Sequence, residues 1–465
     1  MNIDKLVKSL DLFWEKEIVP ALREYIKIPN KSPAFDPDWE KTGHMQAALN
    51  LALEWTEKHK PPGSRLHVKK APGRTPLLML EIPGKKEGNV LVYGHLDKQP
   101  EMEGWREDLG PWKPVLENGR LYGRGGADDG YALFAAVGIA RALIEQNCDL
   151  PRIIIFIEFC EESGSPDLPF YIENQAELIG SPDLVVCLDS GAENYDQFWT
   201  TVSLRGLLGC LLQVNVLTEG VHSGGASGLI PSSFRILRQL ISRIEDESTG
   251  KIKPKELHVD IPRTRIKEVE ALVAAVTNMN KFPIVPNLKD STPDPVEGVL
   301  RRTWRPALSI VGMDGIPGMA EGGNVLRPST GVKLSLRLPP GLNAVFAKSI
   351  LEKILTEDPP YGAQVSVKFE EPASGWNAPE CPNWLTEAVQ GASETIFKKP
   401  ALSMGEGGSI PFMAMLGKKF PAAQFIITGV LGPHSNAHGP NEFLHIAYAR
   451  KLSACIAIIL DRFQK

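Results

Sequence analysis

The chain has 465 residues, of which 43% are hydrophobic and 23% are charged. This length exceeds what one hydrophobic core usually holds, so we expect two domains, and the composition excludes a disordered chain. A formal net charge of −5 at pH 7 argues against a nucleic-acid partner, because nucleic-acid-binding proteins carry a basic surface.

The cysteines and the apolar runs predict the compartment. The six cysteines form no C-x-x-C pair, and Cys160, Cys187 and Cys210 lie in apolar runs that are typical of buried, reduced thiols. No run approaches the ~18 apolar residues of a membrane span, and the N-terminal segment is interrupted by charges, unlike a signal peptide. We therefore expect a cytoplasmic protein with no membrane partner.

Residues 1–200 alternate between helical and strand patterns. The predicted elements, in chain order, are helices within 1–60 with a break at 30–33, strands at 77–82 and 90–93, a helix at 131–145, and strands at 153–159 and 183–188. Such alternation indicates an α/β domain with a largely parallel sheet. In such sheets functional groups gather just beyond the carboxyl ends of the strands.

The pattern changes near residue 201. Strands at 206–216, 332–338 and 364–369 and helices at 232–244 and 344–355 indicate an α+β insert with an antiparallel sheet, and the Pro-rich stretch 251–295 is predicted to be a long surface excursion. From residue 382 the first pattern returns, with a strand at 424–428. We therefore predict a discontinuous domain of residues 1–200 and 377–465 around an inserted domain of residues 201–376.

Two groups of polar residues follow the early strands. His95 and Asp97 lie two residues apart at a strand end and project to the same side, which suits a metal ligand with an orienting carboxylate behind it; an ordinary strand-end histidine is the alternative. The turn ending in Asp128 and Asp129 lacks both G-x-G-x-x-G and G-K-[ST]. We interpret it as a turn that delivers a carboxylate, although a solvated acidic turn has the same pattern.

Three later segments carry similar groups. Glu161 and Glu162 follow a strand directly, and such a pair can divide the work of a proton acceptor and a metal ligand. Asp189 repeats the strand-then-carboxylate pattern, and His438 lies in a loop after the last strand, without the H-E-x-x-H helix of zincins. Each segment could also be an ordinary polar turn or loop.

Taken together, these segments indicate a metal site more specifically than any one of them does alone. The candidate ligands are two imidazoles and three carboxylates, those of His95, Asp128, Glu162, Asp189 and His438. If one carboxylate bridges, they could hold two metal ions with three protein ligands each, and each ion would keep an open position. Nitrogen and oxygen ligands suit Zn²⁺, with Mn²⁺ or Co²⁺ as substitutes. A nucleophilic serine or cysteine fits less well, because the chain has no G-x-S-x-G.

These ordered motifs, together with His222-Ser-Gly-Gly, Glu406-Gly-Gly-Ser409 and Ala-His438-Gly-Pro-Asn-Glu442, resemble the M20 family of metallopeptidases, and its carnosinase-like cytosolic dipeptidase branch in particular. The resemblance spans roughly residues 80 to 450. It implies a zinc-exopeptidase-like α/β/α catalytic domain with an inserted ferredoxin-like α+β domain that serves as lid and dimerisation domain. It also implies a cis peptide after Asp128.

The resemblance also assigns roles. Asp128 would bridge two ions, His95 and Asp189 would complete one site, and Glu162 and His438 the other. Asp97 would orient His95, and Glu161 would be the general base. His222, from the partner subunit of a homodimer, would polarise the substrate carbonyl, Arg337 would bind a substrate carboxylate, and Asn324, Glu406 and Ser409 would be further substrate contacts.

Two departures from the pattern concern substrate preference. Gly130 stands where the branch usually has lysine, and Gly405 stands where an arginine is common. The leading hypothesis is hydrolysis of dipeptides or short peptides. An N-acyl amino-acid deacylase of the desuccinylase or deacetylase type shares this fold and is the alternative. A non-catalytic binding protein is disfavoured, because all ligand and acid–base positions are filled.

Overall fold

The computed structural model describes residues 1–276, 282, 284–408 and 411–465 of the chain. The chain divides into two compact units. The first unit comprises Met1–Thr201, Ala378–Ser403 and Met415–Lys465, and the second comprises Val202–Asn377 and Met404–Ala414. The segment Met404–Ala414 thus groups with the second unit, whereas the sequence pattern had assigned it to the discontinuous domain.

The strands of both units are numbered here in chain order. They are β1 (Arg65–Lys69), β2 (Leu77–Ile82), β3 (Asn89–His95), β4 (Val115–Glu117), β5 (Arg120–Tyr122), β6 (Arg152–Glu158), β7 (Leu184–Cys187), β8 (Trp199–Leu204), β9 (Gly206–Asn215), β10 (Val221–His222), β11 (Ala307–Asp314), β12 (Val325–Leu326), β13 (Ser329–Leu338), β14 (Gln364–Phe369), β15 (Trp376–Asn377), β16 (Leu402–Glu406), β17 (Gln424–Ile427) and β18 (Phe443–His445).

The helices are numbered in the same way. They are α1 (Ile3–Phe13), α2 (Val19–Ile26), α3 (Trp39–Thr42), α4 (His44–His59), α5 (Tyr131–Ile144), α6 (Leu168–Asn174), α7 (Ala176–Ile179), α8 (Ser223–Ala226), α9 (Ser233–Ile244), α10 (Arg263–Ala275), α11 (Pro295–Thr303), α12 (Ala344–Thr356), α13 (Asn383–Phe397), α14 (Pro411–Lys419) and α15 (Ile446–Asp461). A π-helical segment, Trp14–Ile18, joins α1 to α2.

The first unit is built on a six-stranded sheet of order β1-β2-β6-β3-β7-β17. The strands β6, β3, β7 and β17 are parallel, whereas β1 and β2 are antiparallel additions at one edge. The central strands are almost continuously apolar because helices cover them, and α5 packs on β3 and is buried along nearly its whole length. The predicted α/β domain with a largely parallel sheet is confirmed.

The second unit contains a four-stranded antiparallel sheet of order β11-β13-β9-β14, as predicted for an α+β insert. Its core forms because alternate residues of β9 and β13 point to one face, where α9 and α12 pack on them. The stretch 251–295 is less irregular than predicted, since α10 lies within it. Residues 277–281 and 283 of that stretch lie outside the described residues.

No helix among the described residues is both long enough and apolar enough to cross a membrane.

Candidate metal centre

Three of the predicted site segments lie at the end of the six-stranded sheet where its central parallel strands terminate. His95 is the last residue of β3, Glu161 and Glu162 begin a 3₁₀ turn just after β6, and Asp189 comes two residues after β7. The strands β6, β3 and β7 are parallel neighbours, so their carboxyl ends lie side by side at this end of the sheet. Residues that are far apart in the sequence are therefore brought together by strand order.

A glycine-rich turn before α5 presents Asp128. Gly125 has a φ of +78°, which favours glycine, and the Asp128–Asp129 peptide is cis, as the resemblance implied. The Asp129 carboxylate accepts a hydrogen bond from the His95 backbone N–H (3.2 Å). A Cβ on Gly94 would lie 2.7 Å from Asp129 Oδ2, so glycine is needed at residue 94 for this close approach of β3 and the turn.

His95 has its two ring nitrogens directed at different carboxylates. Nε2 lies 3.5 Å from Asp128 Oδ1 and 3.8 Å from Asp189 Oδ2, while Nδ1 lies 3.3 Å from Asp97 Oδ1. The histidine and Asp97 are completely buried. Burial opposes a charge on the imidazole, but Asp128 and Asp97 outweigh it and raise the pKa of His95. This arrangement is the one expected when Nε2 binds a metal and a carboxylate orients Nδ1.

A second cluster shares Asp128. His438 Nε2 lies 3.1 Å from Asp128 Oδ2 and 3.3 Å from Glu162 Oε2. The two oxygens of the Asp128 carboxylate therefore face two different histidines. Although burial opposes its ionisation, His438 and His95 hold the pKa of Asp128 well below its usual range. The two triads, His95–Asp128–Asp189 and Asp128–Glu162–His438, each have ligand atoms close enough to hold one ion.

The unsatisfied atoms in these triads fit a bound cation. In the described part of the chain, both ring nitrogens of His95 and Glu162 Oε1 are buried without a hydrogen-bond partner of acceptable geometry. Buried polar atoms are normally paired, and three clustered carboxylates repel one another unless a positive charge lies between them. Nitrogen and carboxylate ligands around an open position are the set that catalytic Zn²⁺ sites use. The residues present thus fit two divalent ions.

Asp97 connects the two halves of the cluster. Its Oδ1 and Oδ2 accept hydrogen bonds from the backbone N–H groups of Glu161 and Glu162, respectively, each at 3.0 Å. The carboxylate that faces His95 therefore also holds the turn after β6 in place. The resemblance implied only the contact with His95.

Glu161 is well placed for proton transfer. Burial raises the pKa of Glu161 to about 8, an effect that His95 opposes and that Asp97 and Glu158 reinforce. Such a value allows a carboxylate to accept and return a proton near neutral pH. Glu162 differs, because its Oε2 lies 3.3 Å from His438 Nε2 and accepts a hydrogen bond from Gln99 Nε2. The two neighbouring glutamates thus have the separate environments that a division of labour requires.

Three residues near the cluster make side-chain contacts that the sequence pattern does not predict. Gln99 Nε2 donates a 2.6 Å hydrogen bond to Glu162 Oε2, and Arg124 forms a buried ion pair with Glu442. Gln99 lies two residues beyond Asp97, which is the one local signal that could have identified it. Arg124 lies in the turn before Asp128 and Glu442 ends the His438 motif, but their pairing joins segments that are distant in the sequence.

The second unit brings two of the predicted substrate contacts together. The strands β10 and β12 form a short antiparallel ribbon in which His222 pairs with Val325. The Ser223 backbone N–H donates to the Asn324 carbonyl oxygen at 2.9 Å, so His222 and Asn324 lie side by side. Both residues are exposed.

The other predicted contacts lie elsewhere in this unit. Arg337 is near the end of β13, where it pairs with Leu207 of β9. Glu406 ends β16, and its carbonyl oxygen accepts the Arg205 backbone N–H at 3.3 Å. The Arg205 side chain also donates to the Gly407 carbonyl oxygen at 3.2 Å. Ser409 lies outside the described residues.

A comparison with known families identifies the fold and the chemistry. Residues 91–462 match the family described as Peptidase family M20/M25/M40. The chain belongs to this family. The matched region contains all five candidate metal ligands and Glu161. The family assignment that the motifs predicted is thereby confirmed, and the chain is a metallopeptidase-family enzyme.

The relatives of this M20 chain include dipeptidases. It is 28% identical to a cysteinylglycine-S-conjugate dipeptidase of Corynebacterium striatum, over 77% of this chain and 79% of that protein. It is 26% identical to the human Beta-Ala-His dipeptidase, over 76% and 70% of the two chains. The solved structure of the dipeptidase Dug1p from Saccharomyces cerevisiae has a TM-score of 0.74, with 20% identity over 99% of this chain and 98% of that one. The predicted catalytic fold with an α+β insert is confirmed by this similarity.

Proposed function

We propose that this chain is a dipeptidase that uses two divalent metal ions. One observation carries the proposal: the two oxygens of Asp128 face His95 and His438 separately, as a bridging carboxylate requires. The names of the two curated relatives support dipeptides as the substrate class. Zn²⁺ is the expected metal, with Mn²⁺ or Co²⁺ as substitutes.

The ligands of each ion follow from the two triads. His95, Asp128 and Asp189 would hold one ion, and Asp128, Glu162 and His438 the other. Bound divalent ions supply Lewis acidity, which polarises a carbonyl oxygen and acidifies water. Asp97 would keep His95 Nε2 directed at the ion, because it faces Nδ1 on the opposite side of the ring.

Glu161 would carry out the proton transfers of amide hydrolysis. Its carboxylate would accept a proton from the attacking water and return it to the nitrogen of the leaving amine, which must be protonated to depart. A carboxylate next to the candidate ligand Glu162 suits both steps, because it can take up a proton and then release it to the amine. Arg337 would bind the substrate carboxylate, for which a guanidinium is suited, and Asn324, Glu406 and Ser409 would be further contacts.

Two structural features support a homodimer. Arg337 is near the C-terminal end of β13, a strand of ten residues, and the ribbon of His222 and Asn324 lies just before the N-terminal end of that strand. Those ends are roughly 30 Å apart at about 3.4 Å per residue, much more than the length of a dipeptide. If both sets of residues contact one substrate, one set must come from a second copy of the chain.

The edge strand β11 offers a surface for that second copy. It lies at the edge of the four-stranded sheet, and its side chains of Ile310, Val311 and Met313 are exposed by 53%, 58% and 45%. An exposed apolar edge strand is a site of strand pairing with another chain. A twofold axis at β11 would join two sheets into one, as isologous dimers allow. The lid role of the second unit and the cytoplasmic location stay predictions.

The decisive experiment is Glu161→Gln. We expect metal content near that of the wild-type protein and turnover lower by about 10²- to 10⁴-fold, which is the usual contribution of a general base. The matched control is Glu173→Gln on the exposed surface of α6, which should change neither. Unchanged turnover in the Glu161 variant would remove that residue from the mechanism.

Substrate class needs a second measurement. Product analysis on a panel of dipeptides, N-acetyl amino acids and N-succinyl amino acids separates the dipeptidase from the deacylase. We expect the highest kcat/KM for dipeptides. A higher value for N-acyl amino acids would favour the alternative, and an absence of both bound metal and hydrolysis would contradict an enzyme of either kind.

A further inference from the structure

A completely buried ion pair lies beside the metal cluster. Arg124 Nη1 donates to Glu442 Oε2 at 2.8 Å, and the two side chains are 1% and 0% exposed. A buried ion pair is not by itself a large source of stability, because desolvation of both charges offsets their attraction. The hydrogen bonds that surround this pair therefore matter more than the attraction between the two charges.

Glu442 accepts hydrogen bonds from the backbone of the turn that presents Asp128. Its Oε1 accepts hydrogen bonds from the N–H groups of Gly125, Ala127 and Asp128 at 3.0, 3.2 and 3.3 Å. Three N–H groups can converge on one oxygen only if the turn curls around it. The carboxylate thus holds the shape of the turn up to the Asp128 backbone itself.

Arg124 connects this turn to two other ligand-bearing segments. Its Nη2 donates to the carbonyl oxygen of Gly439, the residue after His438, at 2.7 Å. Its Nε donates to the carbonyl oxygen of Pro100 at 3.1 Å, in the segment that continues from His95 and Asp97. A planar guanidinium donates in fixed directions, so it sets the relative positions of the groups it contacts.

We infer that Arg124 and Glu442 are positioning residues that hold Asp128, His438 and the His95 segment at the mutual distances that two metal ions need. The inference rests on the proposed function. Hydrogen-bond partners behind a single metal ligand orient that ligand before the metal binds. Arg124 and Glu442 would do the same for several ligands at once, although neither is a ligand itself. Neither residue touches the substrate in this role.

The first test is Glu442→Gln, which keeps the shape of the side chain but removes its charge and one acceptor oxygen. We expect the affinity for Zn²⁺, measured by competition with a chelator, to fall by about 10- to 100-fold. Thermal unfolding of the metal-free protein is measured in parallel. A merely stabilising pair would lower the unfolding temperature of the metal-free protein and leave the Zn²⁺ affinity unchanged, which would overturn the inference.

A second variant covers the case in which the first does not fold. Arg124→Lys keeps the positive charge, but an ammonium group cannot donate in the three directions of the guanidinium, so the bonds to Pro100 or Gly439 are lost. We expect a reduced Zn²⁺ affinity here as well. An affinity equal to that of the wild-type protein in this folded variant would also overturn the inference.

The control is an arginine–carboxylate pair at the opposite end of the strands of the same sheet. Arg152 Nε lies 2.9 Å from Glu81 Oε1 at the beginning of β6, with side chains 28% and 19% exposed. Glu81→Gln should leave the Zn²⁺ affinity unchanged. Wild-type protein in the same titration distinguishes a failure of the proposed function from a failure of the positioning role. If the wild-type protein binds no metal, the proposed function fails. If it binds metal only as tightly as the two site variants do, only the positioning role fails.

Discussion

The Asp97 carboxylate lies 3.3 Å from His95 Nδ1, and both side chains are fully buried. The same carboxylate accepts the backbone N–H groups of Glu161 and Glu162. One side chain therefore orients a candidate ligand and holds the turn that carries the candidate base. Its loss should affect metal binding and turnover together.

We predict that Asp97→Asn lowers metal affinity by about 10- to 100-fold, the usual effect of losing a partner behind a ligand, and lowers kcat further in metal-saturated protein. The amide places an N–H₂ donor opposite an N–H donor, so one of the two backbone bonds is lost. Chelator competition and steady-state kinetics measure the two effects.

The matched control for this change is Asp183→Asn. Asp183 Oδ2 accepts a hydrogen bond from the Asn89 backbone N–H at 2.8 Å, at the beginning of β3 and thus at the opposite end of the strand from His95. That substitution removes a similar hydrogen bond far from the ligands and should leave kcat and metal affinity unchanged. Equal effects in the two variants would mean that Asp97 acts only through general stability.

Because both triads contain Asp128, we predict that ligand substitutions differ in the number of metal ions that stay bound. Asp128→Ala should abolish binding of both ions, because the residue belongs to both triads. Asp189→Ala and Glu162→Ala each remove a ligand from only one triad and should retain about one ion per chain, since a catalytic site needs three protein ligands. Elemental analysis after dialysis gives the stoichiometry. Retention of one ion by the Asp128 variant would contradict a bridging role.

We predict that Gly407→Ala changes substrate binding without changing metal binding. A Cβ at this residue would lie 2.9 Å from the Arg302 carbonyl oxygen and 3.0 Å from Arg205 Nη2. The loop from Glu406 to Gly408 must therefore shift in Gly407→Ala. We expect KM for dipeptides to rise on the order of 10-fold or more, because small displacements of positioning groups are costly, while metal content stays that of the wild-type protein.

The control for Gly407 is Gly298→Ala in α11 of the same unit. A Cβ there would lie 3.8 Å from Thr292 Cγ2, which is an ordinary contact. This variant should keep the wild-type KM. An unchanged KM in Gly407→Ala would mean that the loop does not contact the substrate.

Subunit mixing tests the origin of His222. His222→Ala and Glu161→Gln should each be inactive alone. If His222 serves the partner's site, random exchange between the two variants creates heterodimers with one intact site, and about a quarter of wild-type activity should return. Mixing Glu161→Gln with Asp128→Ala is the control, because both residues serve the same chain's site and no site is restored. An absence of recovery in the first mixture, with exchange verified, would place His222 in its own chain's site.

Much of the site could be read from local patterns. β3, β6 and β7 are short apolar runs, and a polar group follows each of them, so His95, Glu161 and Asp189 were recognisable without any knowledge of strand order. Strands β2 and β14 have the bounds that the sequence predicted, 77–82 and 364–369. These features are local because burial imposes a period of two or 3.6 residues on the chain itself.

Other features depend on contacts that no local pattern carries. Helix α10 was not predicted within 251–295, and its Arg265 is buried, with the guanidinium donating to Asn377 Oδ1 at 2.9 Å and to Glu268. Gln99 gained a role only when the fold placed its amide against Glu162. Asn377 and Glu162 both belong to other segments of the chain, and no local sequence pattern indicates these contacts.

The order of the motifs was enough to predict the family, the α/β scaffold with its insert, and the types of residue that can hold two metal ions. The arrangement of those residues became visible in the folded chain: the two oxygens of Asp128 face His95 and His438, Asp97 contacts two segments, and Glu442 reaches the turn around Gly125. Secondary structure follows from periodic burial along the chain, whereas ligand geometry follows from long-range packing. Metal binding and proton transfer both depend on distances of a few ångströms, which only that packing sets.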